Sequence, residues 1–122
     1  MAKIESHRDL IVWQKGLDLV VLVYGVSARF PAAERYRLID QLSRSIVSVP
    51  ANIAEGHARS TAKDFANFLA IARGSLAEAE TYIELAVRLR YITSAEAQPV
   101  FGLIDEVGRM LTTLRRRLVP RT

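Results

Sequence analysis

The chain has 122 residues, of which half are hydrophobic and a quarter charged, a composition typical of a single folded domain spanning residues 1–122. It contains no cysteine, which excludes disulfides and thiolate metal sites and fits a reducing compartment. No signal-peptide pattern is visible at residues 1–9, which are charged and lack an apolar core, and no apolar run approaches the ~20 residues needed to span a bilayer. We therefore expect a soluble, cytoplasmic protein.

Positive charge is concentrated at the C-terminal end of the sequence. Residues 109–122 contain five arginines and no acid, and removing those five would take the formal net charge from +4 to −1. The five are Arg109, Arg115, Arg116, Arg117 and Arg121. Two explanations fit: cations favoured near a helix C-terminus, or a surface that contacts a polyanion such as RNA or DNA.

The first predicted helix spans about residues 9–28, with Ser6 or Asp9 as the N-cap and Phe30-Pro31 as the stop. It carries two parallel apolar stripes, and the apolar run at residues 19–24 covers the whole helix circumference. One corner of a small bundle cannot bury so much apolar surface, so we expect a second contact with another copy of the chain. The predicted oligomer interface consists of Leu19, Val23 and Val26.

The second predicted helix spans about residues 33–57 and contains the most patterned stretch of the chain, Q-L-S-R-S-I-V-S-V-P-A-N-I-A-E-G at residues 41–56. An apolar seam with helical spacing is formed by Leu42, Ile46, Val49 and Ile53. A polar ladder precedes it by one residue and consists of Gln41, Ser45, Ser48, Asn52 and Glu55. We expect Asn52 and Glu55 to bond within or between subunits, where they would cap amides of neighbouring helices or loops, and not to bind a ligand. Pro50 interrupts the helix at a cost of roughly 3 kcal/mol, which indicates a tightly packed contact there.

Two further helices are predicted over about residues 62–90 and 94–118. The third begins with the capping pattern Thr61-x-x-Asp64, and Thr93 or Ser94 caps the fourth, whose start we expect Pro99 to delay or bend. Four helices joined by short links predict an all-α, antiparallel up-down four-helix bundle. A turn near residue 59 then predicts an inter-helix polar cluster, whose members are Gln41, Arg44, Glu78 and Arg109.

Motifs for catalysis are missing from the sequence. The two histidines, His7 and His57, have no glutamate three residues before them, which excludes a di-metal carboxylate site. No histidine lies in register with Ser45 or Ser48, and no glycine-rich loop follows a strand. We expect neither a cofactor nor a metal, and no enzymatic activity.

Three stretches together carry a family resemblance: D-L-I-V-W-Q-K at residues 9–15, the Q-L-S-R to A-E-G stretch at 41–56, and D-F-x-x-F-L-x-I-A-R-G-S-L-A-E-x-E at 64–80. With E-V-G-R-M-L at 106–111, they resemble the four-helix bundle family encoded within intervening sequences of bacterial large-subunit rRNA genes. The residues matching its motifs are Gln41, Arg44, Ser48, Pro50, Asn52, Glu55, Gly56, Arg73, Ser75 and Glu78.

The resemblance implies an oligomer without known catalysis. The family is similar in fold to the accessory protein of diversity-generating retroelements, a barrel-shaped homopentamer that binds nucleic acid and a reverse transcriptase. By that analogy we expect a homo-oligomeric barrel, most simply a pentamer, with RNA or DNA and a reverse transcriptase as candidate partners. The leading hypothesis is a scaffold that binds nucleic acid with little sequence specificity. The alternative is a protein-interaction or self-assembly module whose arginines only balance charge.

Overall fold

The computed structural model describes residues 4–119, and all the regular structure of this part is helical. The four long helices are α1 (Ile11–Ser27), α2 (Leu38–His57), α3 (Ala62–Arg88) and α4 (Ser94–Leu118). Short 3-10 helices, His7–Asp9 and Ala32–Glu34, precede α1 and α2. The predicted all-α four-helix bundle is confirmed. Within the described part of the chain, no helix combines the length and apolarity that a membrane crossing requires.

The first two helices begin later than the sequence predicts. Ser6 caps the short 3-10 helix and not α1, because its hydroxyl accepts from Arg8 N while its own N–H donates to Asp9. Leu10 is then extended (φ −79°, ψ 122°), so α1 starts at Ile11. In the same way, Arg37 has non-helical backbone angles (φ −124°, ψ −105°), which moves the start of α2 to Leu38.

The last two helices are capped at their N-termini by threonines. Thr61 accepts from Asp64 N at 3.1 Å, and Thr93 and Glu96 bond each other's backbone in a capping box. Pro99 lies inside α4 and does not delay its start, contrary to the sequence expectation. Beyond the end of α3, Arg90 adopts a left-handed conformation (φ 64°), and Tyr91 N donates to Ala86 O to satisfy a terminal carbonyl.

The core lies between the four helices, each of which packs against two others. The seam of α2 predicted from the sequence is fully buried, since Leu42, Ile46, Val49 and Ile53 expose none of their surface. Opposite this seam lie the largest buried side chains of α3 and α4, namely Leu69, Ile83, Val100, Val107 and Leu111.

The placement of the apolar stripes on α1 differs from the sequence prediction. The sequence predicts Leu19 and Val23 on an outer surface, but both are completely buried in the core, and Val26 is half-buried against it. The prediction that they form an outward-facing interface is therefore wrong for this pair. The stripe that faces outwards contains Leu17, Val21 and Tyr24, which are 40%, 73% and 50% exposed. Periodicity indicates two stripes but does not decide which one the other helices cover.

Glycines permit two close approaches to α2. A Cβ at Gly16 of α1 would lie 3.5 Å from Pro50 Cβ, so the buried proline packs directly against the α1 backbone. The contact is tighter at the end of α2, where a Cβ at Gly56 would lie 2.6 Å from Phe68 Cβ. Only glycine fits there without a shift of α3, because the nearest atom belongs to the rigid start of the phenylalanine side chain.

Candidate nucleic-acid interface

The cations of α4 point in different directions. The seam residues Val100, Ile104, Val107 and Leu111 fix the rotation of the helix by facing the core. Consecutive residues on a helix are separated by about 100°, so Arg115, Arg116 and Arg117 diverge. All three are exposed, but they line different parts of the surface. The three arginines therefore do not form one continuous surface. Arg121 lies outside the described residues.

Arg115 reaches across to α3. Its Nε donates to the carbonyl oxygen of Ala66 at 3.3 Å, a contact that ties the last turn of α4 to the first turns of α3. This contact orients the guanidinium along the surface of the bundle. It uses only the Nε–H group, and the other N–H donors of the guanidinium take no part in it. Arg115 therefore has a structural contact in addition to its charge.

Arg116 faces a groove between α3 and α4, which we call the basic groove. Arg73 of α3 and Arg109 of α4 line the same groove, whose volume is about 580 Å³. The lining includes four residues with small side chains, Ala77, Gly108, Thr112 and Thr113, and two buried apolar residues, Leu76 and Ile104. The groove also contains two acids, Glu80 and Asp105. Sequence analysis placed Arg73 only among the motif residues and missed its proximity to the arginines of α4.

Asp105 is the partner of Arg109. The two side chains form an i, i+4 ion pair on α4, and the hydrogen bond to Asp105, with its charge, raises the pKa of Arg109. Both side chains are more than half exposed, so water screens the pair strongly. Asp105 is paired with Arg109. The other two cations of the groove, Arg73 and Arg116, form no ion pair within residues 4–119.

Arg117 lines a separate and more apolar groove between the N-terminal segment, α1 and α4. Its neighbours there include Ile4, Leu10, Ile11 and Met110, along with the carboxylate residue Asp9. The Asp9 carboxylate accepts hydrogen bonds from the backbone N–H groups of Glu5 and Ser6, and these bonds lower its pKa. It therefore stays ionised and partly offsets the positive charge of Arg117.

The polar ladder of α2 forms a hydrogen-bonded contact with α3. Gln41 accepts from the Tyr82 hydroxyl at 2.9 Å, and the hydroxyls of Ser48 and Ser75 are 2.9 Å apart. Asn52 donates to both the carbonyl and the hydroxyl of Ser48, at 2.8 and 2.7 Å. The chain of bonds from Asn52 through Ser48 therefore reaches α3.

The polar ladder differs from the sequence prediction in two respects. Within the chain, Asn52 and Glu55 cap no amide of a neighbouring helix or loop, because Asn52 bonds within its own helix and Glu55 pairs with Arg59 at 2.9 Å. Bonds of these residues between subunits stay a prediction. The predicted polar cluster also lacks Arg109. Arg44 and Glu78 do line one groove between α2 and α3 with Gln41, but Arg109 lies across α3 in the basic groove.

Known proteins give the following comparisons. The model of the family described as 23S rRNA-intervening sequence protein matches residues 8–113. A solved structure from Bacteroides thetaiotaomicron, described as a protein with unknown function from the S23 ribosomal protein family, is similar to the chain with 27% identity and a TM-score of 0.79. The match covers 87% of this chain and 99% of that one. No curated protein matches the chain.

Proposed function

Because the chain belongs to the 23S rRNA-intervening sequence protein family, as its motifs suggested, we propose that it is a non-enzymatic, oligomeric scaffold that binds nucleic acid. The binding surface in this proposal is the basic groove with the neighbouring Arg115. The observation that carries the proposal is the convergence of Arg73, Arg109 and Arg116 from two helices on one groove.

The chemistry of this groove suits a phosphate backbone better than bases. Guanidinium groups bind phosphate oxygens bidentately, and each neutralised phosphate releases a counterion. The groove is open, and none of its described lining residues is aromatic, so it offers no platform on which a base could stack. We therefore expect weak sequence preference and strong dependence on salt at this surface.

Self-association through α1 is the second part of the proposal. Leu17, Val21 and Tyr24 recur at spacings of four and three on α1. Val47 of α2 is 40% exposed and belongs to the same proposed surface. It lies one turn before Pro50, which packs on Gly16 of α1. These four replace Leu19, Val23 and Val26 as the proposed contact residues. A ring of five copies, which family analogy favours, would repeat each basic groove around its symmetry axis.

The proposal also includes an antiparallel, up-down arrangement of the helices. Its support is the order in which residues of α2 meet residues of α3. Gln41, early in α2, meets Tyr82, late in α3; Ser48 meets Ser75 near the middle, and Gly56 meets Phe68. Residue numbers rise along one helix as they fall along the other, as they do between antiparallel neighbours.

Titrations of a labelled duplex RNA and a labelled duplex DNA against the protein, at several salt concentrations, test the binding surface. The double variant Arg73→Gln/Arg116→Gln should bind more weakly, and its log–log salt slope on DNA should fall in magnitude by up to about 0.9 for each phosphate that the variant no longer neutralises. The matched control is Arg44→Gln/Arg88→Gln, which removes the same charge from two exposed arginines that pair with Asp40 and Glu84 outside the groove. If both double variants bound nucleic acid equally weakly, the loss of net charge alone would explain the result. If the wild type binds neither duplex nor a single strand at low salt, the protein-interaction alternative becomes the better interpretation.

Sedimentation tests the self-association. Val21→Glu should convert the oligomer to a folded monomer, because this side chain is 73% exposed and its replacement does not disturb the core. Ala70→Glu, at an exposed position on α3, is the control that adds the same charge elsewhere. A wild-type chain that sediments as a monomer at micromolar concentration would contradict this part of the proposal.

A further inference from the structure

The connection between α1 and α2 exposes one aromatic side chain almost completely. Tyr36 is 85% exposed, the highest value among the large hydrophobic residues of the described chain. It lies in the turn between the 3-10 helix Ala32–Glu34 and the start of α2. Arg35 and Arg37 flank it in sequence and are also exposed. A tyrosine in this position covers no core, so its apolar ring gains nothing from folding.

Contacts with the connection between α3 and α4 hold this turn in place. The Tyr91 hydroxyl donates to Glu34 Oε2 at 3.2 Å, and the Tyr91 ring packs against Phe30 with ring centroids 5.7 Å apart. Arg29 forms an ion pair with Glu96 in the first turn of α4. Arg37 is close enough to Tyr91 to oppose the rise that burial produces in the pKa of this phenol. The two connections therefore form one surface at the end of the bundle.

Cations without an acidic partner collect on this surface. Within residues 4–119, Arg35, Arg37 and Arg90 form no ion pair. The nearby carboxylates are already engaged, Glu34 by Tyr91 and Glu96 by Arg29 and the cap of α4. Arg90 also has a positive φ of 64°, a conformation that is strained for an arginine and that glycine adopts freely.

From these observations we infer that Tyr36, with Arg35, Arg37 and Arg90, is a stacking platform for single-stranded nucleic acid. This inference deepens the proposed function and rests on it. A base can stack on the exposed ring while the guanidinium groups contact the flanking phosphates. A duplex keeps its bases stacked on one another, so it cannot use the ring in this way. Glu96, in the first turn of α4 beside the platform, and Arg109, the first arginine of the basic groove on α4, are about 20 Å apart at 1.5 Å per residue. The platform is therefore separate from the basic groove.

A protein partner could also use an exposed tyrosine between arginines, since both residue types are enriched in binding hot spots. The three unpaired cations favour the nucleic acid. The experiment compares a labelled single strand with a duplex of the same sequence by fluorescence anisotropy, using the full chain. Tyr36→Ala should weaken binding of the single strand at least about fivefold, given 1–3 kcal/mol per stacked base, and leave duplex binding unchanged. Tyr36→Phe keeps the ring and should bind the single strand like wild type.

Ile71→Ala is the matched control, because it removes a large exposed side chain from α3, away from the turn and outside the proposed self-association surface. The inference is overturned if Tyr36→Ala binds the single strand as tightly as wild type, and the basic groove would then stand alone. Equal weakening by Tyr36→Phe and Tyr36→Ala would overturn stacking in favour of a hydroxyl contact. If wild type binds neither strand form at low salt, the proposed function and this inference fail together, and the tyrosine is a protein contact.

Discussion

Replacing Gly56 with alanine gives the sharpest test of the packing between α2 and α3. The added Cβ would lie 2.6 Å from Phe68 Cβ, 3.0 Å from Phe65 Cδ1 and 3.3 Å from Phe65 O. Two of these atoms, a Cβ and a backbone oxygen, cannot move unless α3 moves. Overpacking of this kind costs about 1–3 kcal/mol, while the better helix propensity of alanine returns at most about 1 kcal/mol.

The net expectation is a decrease of about 1–2 kcal/mol in the free energy of unfolding. Urea unfolding followed by circular dichroism measures this decrease, and Tm should fall by roughly 3–5 °C per kcal/mol for a chain of this size. All variants must be compared at one protein concentration, because self-association makes Tm depend on it.

Two control substitutions should raise the free energy of unfolding. A Cβ at Gly25, near the end of α1, or at Gly102, inside α4, would meet nothing within 4 Å. Gly25→Ala and Gly102→Ala should therefore stabilise the protein by up to about 1 kcal/mol. If Gly56→Ala were as stable as these two, the close contact with Phe65 and Phe68 would not exist in solution.

Three further predictions concern local features of the bundle. Arg90→Gly should raise the free energy of unfolding by about 1 kcal/mol, because glycine removes the cost of the positive φ, and urea unfolding would refute this by showing a decrease. Asn52→Ala should lower stability by about 1–2 kcal/mol, and a double-mutant cycle with Ser48→Ala should show coupling because the two side chains are 2.7 Å apart. Since hydrogen bonds lower the Asp9 pKa from its ordinary 3.8, the stability it contributes is present above that pH and is lost as the pH falls through the lowered value. An NMR titration of the Asp9 carboxyl with a midpoint at or above 3.8 would contradict this.

Much of the fold could be predicted from the sequence because the relevant signals are local. Helical periodicity identified the α2 seam, the pattern Thr61-x-x-Asp64 marked the start of α3, and Thr93 or Ser94 marked the start of α4. These patterns depend on bonds within one turn of a helix, so neighbouring residues are enough to specify them. The motifs at residues 41–56 and 64–80 also carried the family assignment.

The candidate sites required the tertiary structure. Leu19 and Leu17 both belong to apolar stripes of α1, and only the packing of α2 and α4 decides that the first is buried and the second exposed. Arg73 and Arg116 are far apart in sequence, and they share a groove because α3 packs against α4. Tyr36 belongs to no motif of the sequence, and only the fold shows that no neighbouring element covers it. The sequence by itself determined the helices and their seams, because those depend on spacing. The tertiary structure decided which faces remain on the surface, because that depends on which neighbours cover them.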